Sequence, residues 1–407
     1  MNLEKNFRRE VLDNGVTLLF EKRDFPVASI SISSRIGAVY ESKKEKGLTH
    51  FMEHLLLKGT KNKDGLQFVK EIEGAGGEFN AFTSNISVKV WIKSPDNFIE
   101  RGLDILIDIV KNSLFKKEAL TKERKVIVEE IDMVNDEPRE YASEKMDASL
   151  YSEPFSLPLL GTKENLKRFK RKDLLKKYKE VFSPENLIVC VVGKYSFEKL
   201  KKKIEKNFMK NFPIKSELPK IEKKTSQIIE RKKGFDQSRL IFSFHSPLSS
   251  DKQIFASNVL YNILNGGISS RLYSRLRYKE AIIYENGGGV ISSKDFSFTY
   301  FDFGCSEKNI PKIKKIILEE LKDVSKNLNE KELQFVKDKI NGDYKVELES
   351  CEEEETSLVF SEIETGNAHS FYGYPKKIQE VKLEEVKKLA KEVAEGNYGT
   401  FILIPKK

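Results

Sequence analysis

His50, Glu53 and His54 fall within five consecutive residues of a 407-residue chain that holds only four histidines. On a helix, positions i, i+3 and i+4 share one face. The spacing therefore aims two imidazoles and one carboxylate at a single volume. Neutral imidazole nitrogens ligate divalent metals, and a carboxylate beside them can accept a proton from water. Paired histidines can also be surface accidents, and two of them do not complete a catalytic metal centre. Three protein ligands and one open position do, so a carboxylate from elsewhere in the chain is required.

Residues 117–135 read as a long charged helix containing Glu123-Arg-Lys-Val-Ile-Val-Glu129-Glu130-Ile-Asp132. Glu123 and Glu130 are two turns apart and share a face to within about 20°, whereas Glu129 is turned away by about 100°. Spacing alone leaves the choice between this pair and other glutamates open.

The elements that must hold these residues follow from periodicity. Residues 15–21 and 27–34 read as strands and 47–58 as the histidine-bearing helix. A second, amphipathic helix over 65–73 stops at Gly74-Ala-Gly-Gly77. Strands over 79–83 and 88–93 come next, then helices over 98–112 and 117–135. The run Ile188-Val-Cys-Val-Val-Gly193 is a buried strand, followed by a helix near Ser196. Residues 211–224, with prolines, lysines and little apolar periodicity, read as a linker. Beyond it the order recurs: a strand over 240–244, a helix over 252–264, a Gly-Gly turn, paired strands, two long helices and a closing strand over 398–404. The expected fold class is α+β, with two similar α/β-sandwich-like domains, each a mostly antiparallel sheet packed with helices. The expected boundaries are 1–212, a linker at 213–224, and 225–407. The histidine motif has no counterpart in the second half, so only the first is expected to hold metal.

Composition narrows the function classes. Charged residues make up 33% and no apolar run approaches the roughly 20 residues of a membrane span. The net charge of +9 comes from lysines dispersed along helices such as 167–179 and 199–206, with acidic residues among them, so no nucleic-acid partner is expected. Cys190, Cys305 and Cys351 are odd in number and far apart, which fits core thiols in a reducing compartment. Residues 1–13 carry charges throughout and lack the apolar centre of a secretory signal. The expected location is the cytoplasm. The acidic run at 352–355 reads as a solvated helix start, and His245 and His369 have no partner at metal spacing.

The H-x-x-E-H order at 50–54, followed 76 positions later by Glu130, resembles the pitrilysin/insulysin family of metallopeptidases. The likeness is greatest to its mitochondrial-processing-peptidase-like bacterial branch. The flanking residues agree: Gly47-Leu-Thr-His-Phe-Met-Glu-His-Leu-Leu-Leu-Lys-Gly-Thr60, Gly76-Gly-Glu-Phe-Asn-Ala-Phe-Thr83, Leu12-Asp-Asn-Gly15, Gly161-Thr162 and Ser183-Pro-Glu-Asn-Leu187. The resemblance implies one zinc per chain bound by His50, His54 and Glu130. It makes Glu53 the catalytic base and Glu123 a catalytic support beside the ligands. It also implies that Asn80 and Ala81 lie on a strand edge that pairs with substrate.

Of the arginines at 271, 275 and 277, the first two read as one helix face. The resemblance selects Arg277 with Tyr284 to bind a substrate carbonyl, although Tyr278 and Ala281 replace the usual acidic residue and glycine. A chain of this length resembles one half of a clamshell. Two such chains, in a homodimer or with a different partner, would enclose short or unfolded peptides. The implied activity is that of a zinc endopeptidase or oligopeptidase. The alternatives are a non-catalytic scaffold homologue and a processing subunit active only with another chain.

Overall fold

The computed structural model describes residues 6–210, 214 and 216–406. Residues 1–5 of the amino-terminal reading, and Asn211, Phe212, Pro213 and Lys215 of the expected linker, lie outside the described residues.

The first half runs β1 (Phe7–Val11), β2 (Thr17–Lys22), β3 (Val27–Ser34), α1 (Leu48–Leu56), α2 (Gly65–Gly74), β4 (Glu78–Thr83), β5 (Val88–Pro95), α3 (Ile99–Asn112), α4 (Lys117–Asp136), α5 (Pro138–Met146), α6 (Lys163–Arg168), α7 (Arg171–Val181), β6 (Leu187–Gly193) and α8 (Phe197–Asn207). The second runs β7 (Gln227–Lys232), β8 (Ser238–His245), α9 (Ile254–Asn265), the short α10 (Arg271–Tyr273) continued by a π-helical turn over Ser274–Lys279, β9 (Ile283–Ser292), β10 (Ser297–Cys305), α11 (Ile310–Asn327), α12 (Glu330–Glu347), α13 (Cys351–Thr365), α14 (Ser370–Glu380), α15 (Leu383–Ala394) and β11 (Gly399–Pro405). These follow the expected element order, with α13 to α15 added before the closing strand.

The two sheets share one topology. The first has the order β1-β2-β6-β3-β5-β4 and the second β7-β11-β8-β10-β9. Reading β2, β6, β3, β5 and β4 against β7, β11, β8, β10 and β9, every pairing direction agrees. The β2·β6 and β7·β11 pairs are parallel and the rest antiparallel. The duplication expected from element order is thus present strand by strand.

The chain divides into two units that interleave: Met1–Ile131, Pro158–Pro219 and Glu347–Tyr372 form one, and Asp132–Leu157, Lys220–Val346 and Gly373–Lys407 the other. The expectation of a single cut at 213–224 is thereby modified. Two segments leave their own halves, and each carries a helix that covers a sheet face in the other unit. In the first unit α13 lies on β3 and β6; in the second α5 lies on β8 and β11.

Strand β3 alternates serine with apolar residues, a pattern that ordinarily leaves one face in water. Here both faces are covered. Ile30 meets α3 at Gly102, where an added Cβ would lie 2.6 Å from the Ile30 Cδ1. Ser29, Ser31 and Ser33 are fully buried on the opposite face, where the Ser31 hydroxyl donates to Glu355 of α13. In the second unit Leu240, Phe242 and Phe244 of β8 pack with α9, α11 and α15, while Ile241 joins Tyr141 and Ala142 of α5.

The acidic run at 352–355 is therefore not a solvated helix start. Glu354 and Glu355 are buried, paired with Arg23 and Lys89 respectively. No helix among the described residues is long and apolar enough to cross a membrane.

Candidate metal centre

Helix α1 presents His50, Glu53 and His54, and its first turn is fixed by unusual means. Its N-cap is Gly47, in the left-handed region at φ 91°. An added Cβ there would lie 2.5 Å from the Leu160 carbonyl oxygen and 2.8 Å from the Gly161 Cα. Gly161, at φ +80°, is equally confined, its Cβ position lying 2.4 Å from the Lys46 carbonyl. Two glycines thus let two backbone segments touch. The free N–H groups of the first turn are met by a buried carboxylate: Glu41 accepts from the Gly47 N–H at 3.0 Å and the Thr49 N–H at 2.6 Å. Burial raises the Glu41 pKa, opposed by Lys46 and by the bonds to Thr49.

Helix α4 is anchored by Arg124, the residue after Glu123. Its guanidinium donates to the carbonyls of Leu166, Lys167 and Phe169 at 2.5, 2.9 and 2.8 Å, and sits 5.6 Å over the ring of Phe51. This sets α4 against α1 with its glutamates toward the histidines.

The His50 and His54 rings stand edge to face, 4.6 Å between centroids. The Nε2 of His50 lies 3.7 Å from one Glu130 oxygen, and the Nε2 of His54 lies 3.3 Å from the other. Two ligand atoms each about 2.05 Å from a tetrahedral ion stand about 3.3 Å apart. The observed spacings fit a first-row divalent ion such as zinc. Among the described residues, His50, His54 and Glu130 are the one group of three or more metal-capable side chains that converge in this way. Glu123 instead faces the far side of His54, its Oε2 3.3 Å from the Nδ1, while its Oε1 meets the Lys58 ammonium at 2.9 Å. The structure thus resolves what spacing left open: Glu130 faces both imidazoles, Glu123 faces a single ring from behind, and Glu129 takes no part.

The protonation states follow from these surroundings. Burial pushes His50 down to about 4, with Glu130 pulling it upward and His54 pushing it further down, so its ring is neutral and its lone pair free to ligate. Burial also disfavours charge on His54, but contacts with Glu130, Glu53 and Glu123 outweigh it and raise the pKa. The His54 contact holds Glu130 below the usual carboxylate value, against its burial. Burial pushes Glu53 up to about 7; His54 and the Thr83 hydroxyl pull it back and Glu130 pushes it further.

Known proteins bear on this geometry. The family model described as "Insulinase (Peptidase family M16)" matches residues 17–163, and "Peptidase M16 inactive domain" matches 168–340. The chain belongs to peptidase family M16. Among curated relatives, it is 26% identical over 404 residues to YmxG of Bacillus subtilis, covering 98% of each chain, and 28% identical over 337 residues to a Rickettsia felis protein, covering 81% of each. Both relatives are described as uncharacterized zinc proteases. Among solved structures, a protease from Helicobacter pylori superposes with TM-score 0.89 at 22% identity, covering 98% of this chain and 99% of that one. An M16-like peptidase from Alicyclobacillus acidocaldarius gives 0.85 at 20%, covering all of both. These two share the fold.

The remaining expected M16 site residues fall in two places. Asn80 and Ala81 lie on β4, the edge strand next to α1. The Ala81 N–H is taken by the Asn80 side chain at 2.8 Å rather than by a further strand. Arg277 and Tyr284 lie in the second unit. Arg277 donates to the Ile283 carbonyl at 2.8 Å, next to Tyr284, whose hydroxyl meets Ser306 at 2.7 Å. Arg271 and Arg275 are bound to Glu320 and to Glu332, Asp323 and Glu319, so their shared face is an ion-pair network. The His245 Nε2–H donates to the Lys224 carbonyl at 2.9 Å, and His369 packs edge-on against Phe7. Residue spacing did not single out Lys58, which stands four residues beyond His54, just past the end of α1.

Proposed function

We propose that this M16 chain is a zinc-dependent endopeptidase or oligopeptidase that hydrolyses short or unfolded peptides. The observation that carries the reading is the meeting of His50, His54 and Glu130 with the Glu53 carboxylate on the same helical face. The three ligands hold one zinc ion, which when bound acidifies water and polarises a carbonyl oxygen. Glu53 takes a proton from the attacking water and delivers it to the leaving amide nitrogen. Glu123 orients the His54 ring through its Nδ1, a contact that fixes which nitrogen is left for the metal.

The outer edge of β4, once the Asn80 side chain releases the Ala81 N–H, pairs with an extended peptide by main-chain hydrogen bonds, which read backbone rather than sequence. Arg277 and Tyr284 bind a substrate carbonyl, from the same chain or from a partner. Two chains, alike or different, close a chamber that admits unstructured peptides. Three buried free cysteines support a reducing, cytoplasmic setting.

Glu53→Gln tests the reading. The variant keeps zinc and loses peptide hydrolysis by about 100-fold or more, and a chelator abolishes wild-type turnover. Full activity in zinc-loaded Glu53→Gln refutes the assignment.

A further inference from the structure

We propose that Lys58 is a positioning residue for the metal centre: its ammonium pins one oxygen of Glu123 so that the other holds the His54 ring with Nε2 turned toward Glu130. The inference rests on the metal-site reading above and extends it to a residue outside the ligand set.

Glu123 is a buried carboxylate with two distinct partners, His54 Nδ1 on Oε2 and Lys58 Nζ on Oε1. The terminal torsion of a glutamate is broad, so one contact leaves the carboxylate free to swing. Two contacts on opposite oxygens define its plane. A histidine ligand needs that plane, because the acceptor behind the ring decides which nitrogen carries the proton and how the ring is oriented.

Lys58 reaches the carboxylate because α1 delivers it. His50 and His54 share one line of the helix surface, and Lys58 follows four residues later, just past the C-cap Leu57. The helix closes at Leu57, the Lys58 N–H donates to the Leu55 carbonyl at 3.3 Å, and Gly59, at φ +118°, then turns the chain away. Lys58 is thus held in the turn that follows the helix, where a cation also suits the dipole at the helix C-terminus. The turn that closes the ligand-bearing helix therefore clamps the acid that α4 sends behind one of the ligands.

An ordinary surface ion pair makes a different prediction. With its side chain 43% exposed, Lys58 as a mere salt-bridge partner would contribute little to stability and nothing to metal binding. The test uses the full chain. Zinc affinity is measured by competition with a chromophoric chelator for wild type, Lys58→Met, Lys58→Gln, Lys58→Arg and Glu123→Gln. Histidine tautomers are read from long-range proton–nitrogen spectra of ¹⁵N-histidine-labelled protein, in which four histidines give few signals.

The expected result is a loss of zinc affinity of about tenfold in Lys58→Met and Lys58→Gln, the low end for a partner behind a ligand. Lys58→Arg restores most of it, and the His54 Nδ1–H signature of the wild type gives way to a tautomer mixture in Lys58→Met. Wild-type affinity in Lys58→Met alongside a weakened Glu123→Gln overturns the role of Lys58 and leaves the site reading standing. Equal losses in Lys58→Met and Lys58→Arg overturn it as well. A wild-type chain that takes up no zinc sinks the site reading and this proposal with it.

Discussion

Lys89 of β5 and Glu355 of α13 form a buried ion pair, N to O 2.5 Å, with side chains 2% and 0% exposed. Lys89 also donates to the Thr356 hydroxyl at 2.7 Å, and Glu355 accepts from Ser31. The pair sits where the exchanged helix meets the serine face of β3, so it decides whether that face is covered. Replacing Lys89 by Met leaves a buried carboxylate with one hydroxyl for company. Removing one partner of such a pair costs about 3–5 kcal/mol, whereas replacing both by apolar groups of similar volume is often neutral or stabilising. Lys89→Met is therefore expected to destabilise the first unit by about 3–5 kcal/mol, and Lys89→Met/Glu355→Leu to fall close to wild type. For a folding unit of about 200 residues, a 3 kcal/mol loss lowers the thermal midpoint by about 6–12 °C.

The chain offers a selective probe for this. Its single tryptophan, Trp91, lies on β5 in the same unit. Urea unfolding followed by Trp91 fluorescence isolates the first unit, and a double-mutant cycle extracts the coupling between the two charges. A loss below about 1 kcal/mol in Lys89→Met would refute the reasoning. So would a double variant that loses as much as both single variants together, since the two charges would then be independent.

Two further outcomes follow from the same unit. Gly161→Ala places a Cβ at φ +80° and 2.4 Å from the Lys46 carbonyl; it should cost about 1–3 kcal/mol in the Trp91 transition and weaken zinc binding by displacing the start of α1, and an unchanged midpoint would contradict the contact. Glu21 accepts from the Tyr372 hydroxyl at 2.7 Å, and burial pushes its pKa up to about 7, with Tyr372 and Arg23 pulling down and Glu354 pushing up. Because the folded value exceeds the ordinary 4.5, its stabilising contribution is full below that value and is lost as pH rises through about 7. Glu21→Gln should match wild type near pH 4 and exceed it by about 1–3 kcal/mol near pH 8.5; an equal gain at both pH values would place the effect outside titration.

The histidine helix, its flanking strands and the duplicated element order were legible because each rests on local periodicity. Choosing Glu130 over Glu123 was not, since residues seven apart on one helix present nearly the same face. Which imidazole nitrogen each glutamate meets depends on how α4 crosses α1, and that crossing is set by Arg124 and the end of α6. The helix exchange left no local signal either. Alternating serines on β3, Lys89 on β5 and the run at 352–355 each look like solvent-facing polarity. Only together do they compose the polar lining of one buried interface, and their separations of 266 and 324 residues hide it.

The duplication also bears on why, among the described residues, the His50/His54/Glu130 cluster has no counterpart in the second unit. Both units place a helix after the second of their matched strands in chain order, α1 after β3 and α9 after β8. Helix α1 carries two histidines and a glutamate; α9 carries Asn258, Tyr261 and Asn262 among apolar residues that fill a core. The sheet topology is thus kept in both units while the chemistry depends on a few side chains, as expected when function is grafted on a fold. The description of the second matched family model as an inactive domain agrees with this division. The second unit retains instead Arg277 and Tyr284, polar groups suited to a carbonyl oxygen rather than to a cation. Under the proposed function, metal ligation belongs to the first unit, while the second offers hydrogen-bond donors to a substrate carbonyl.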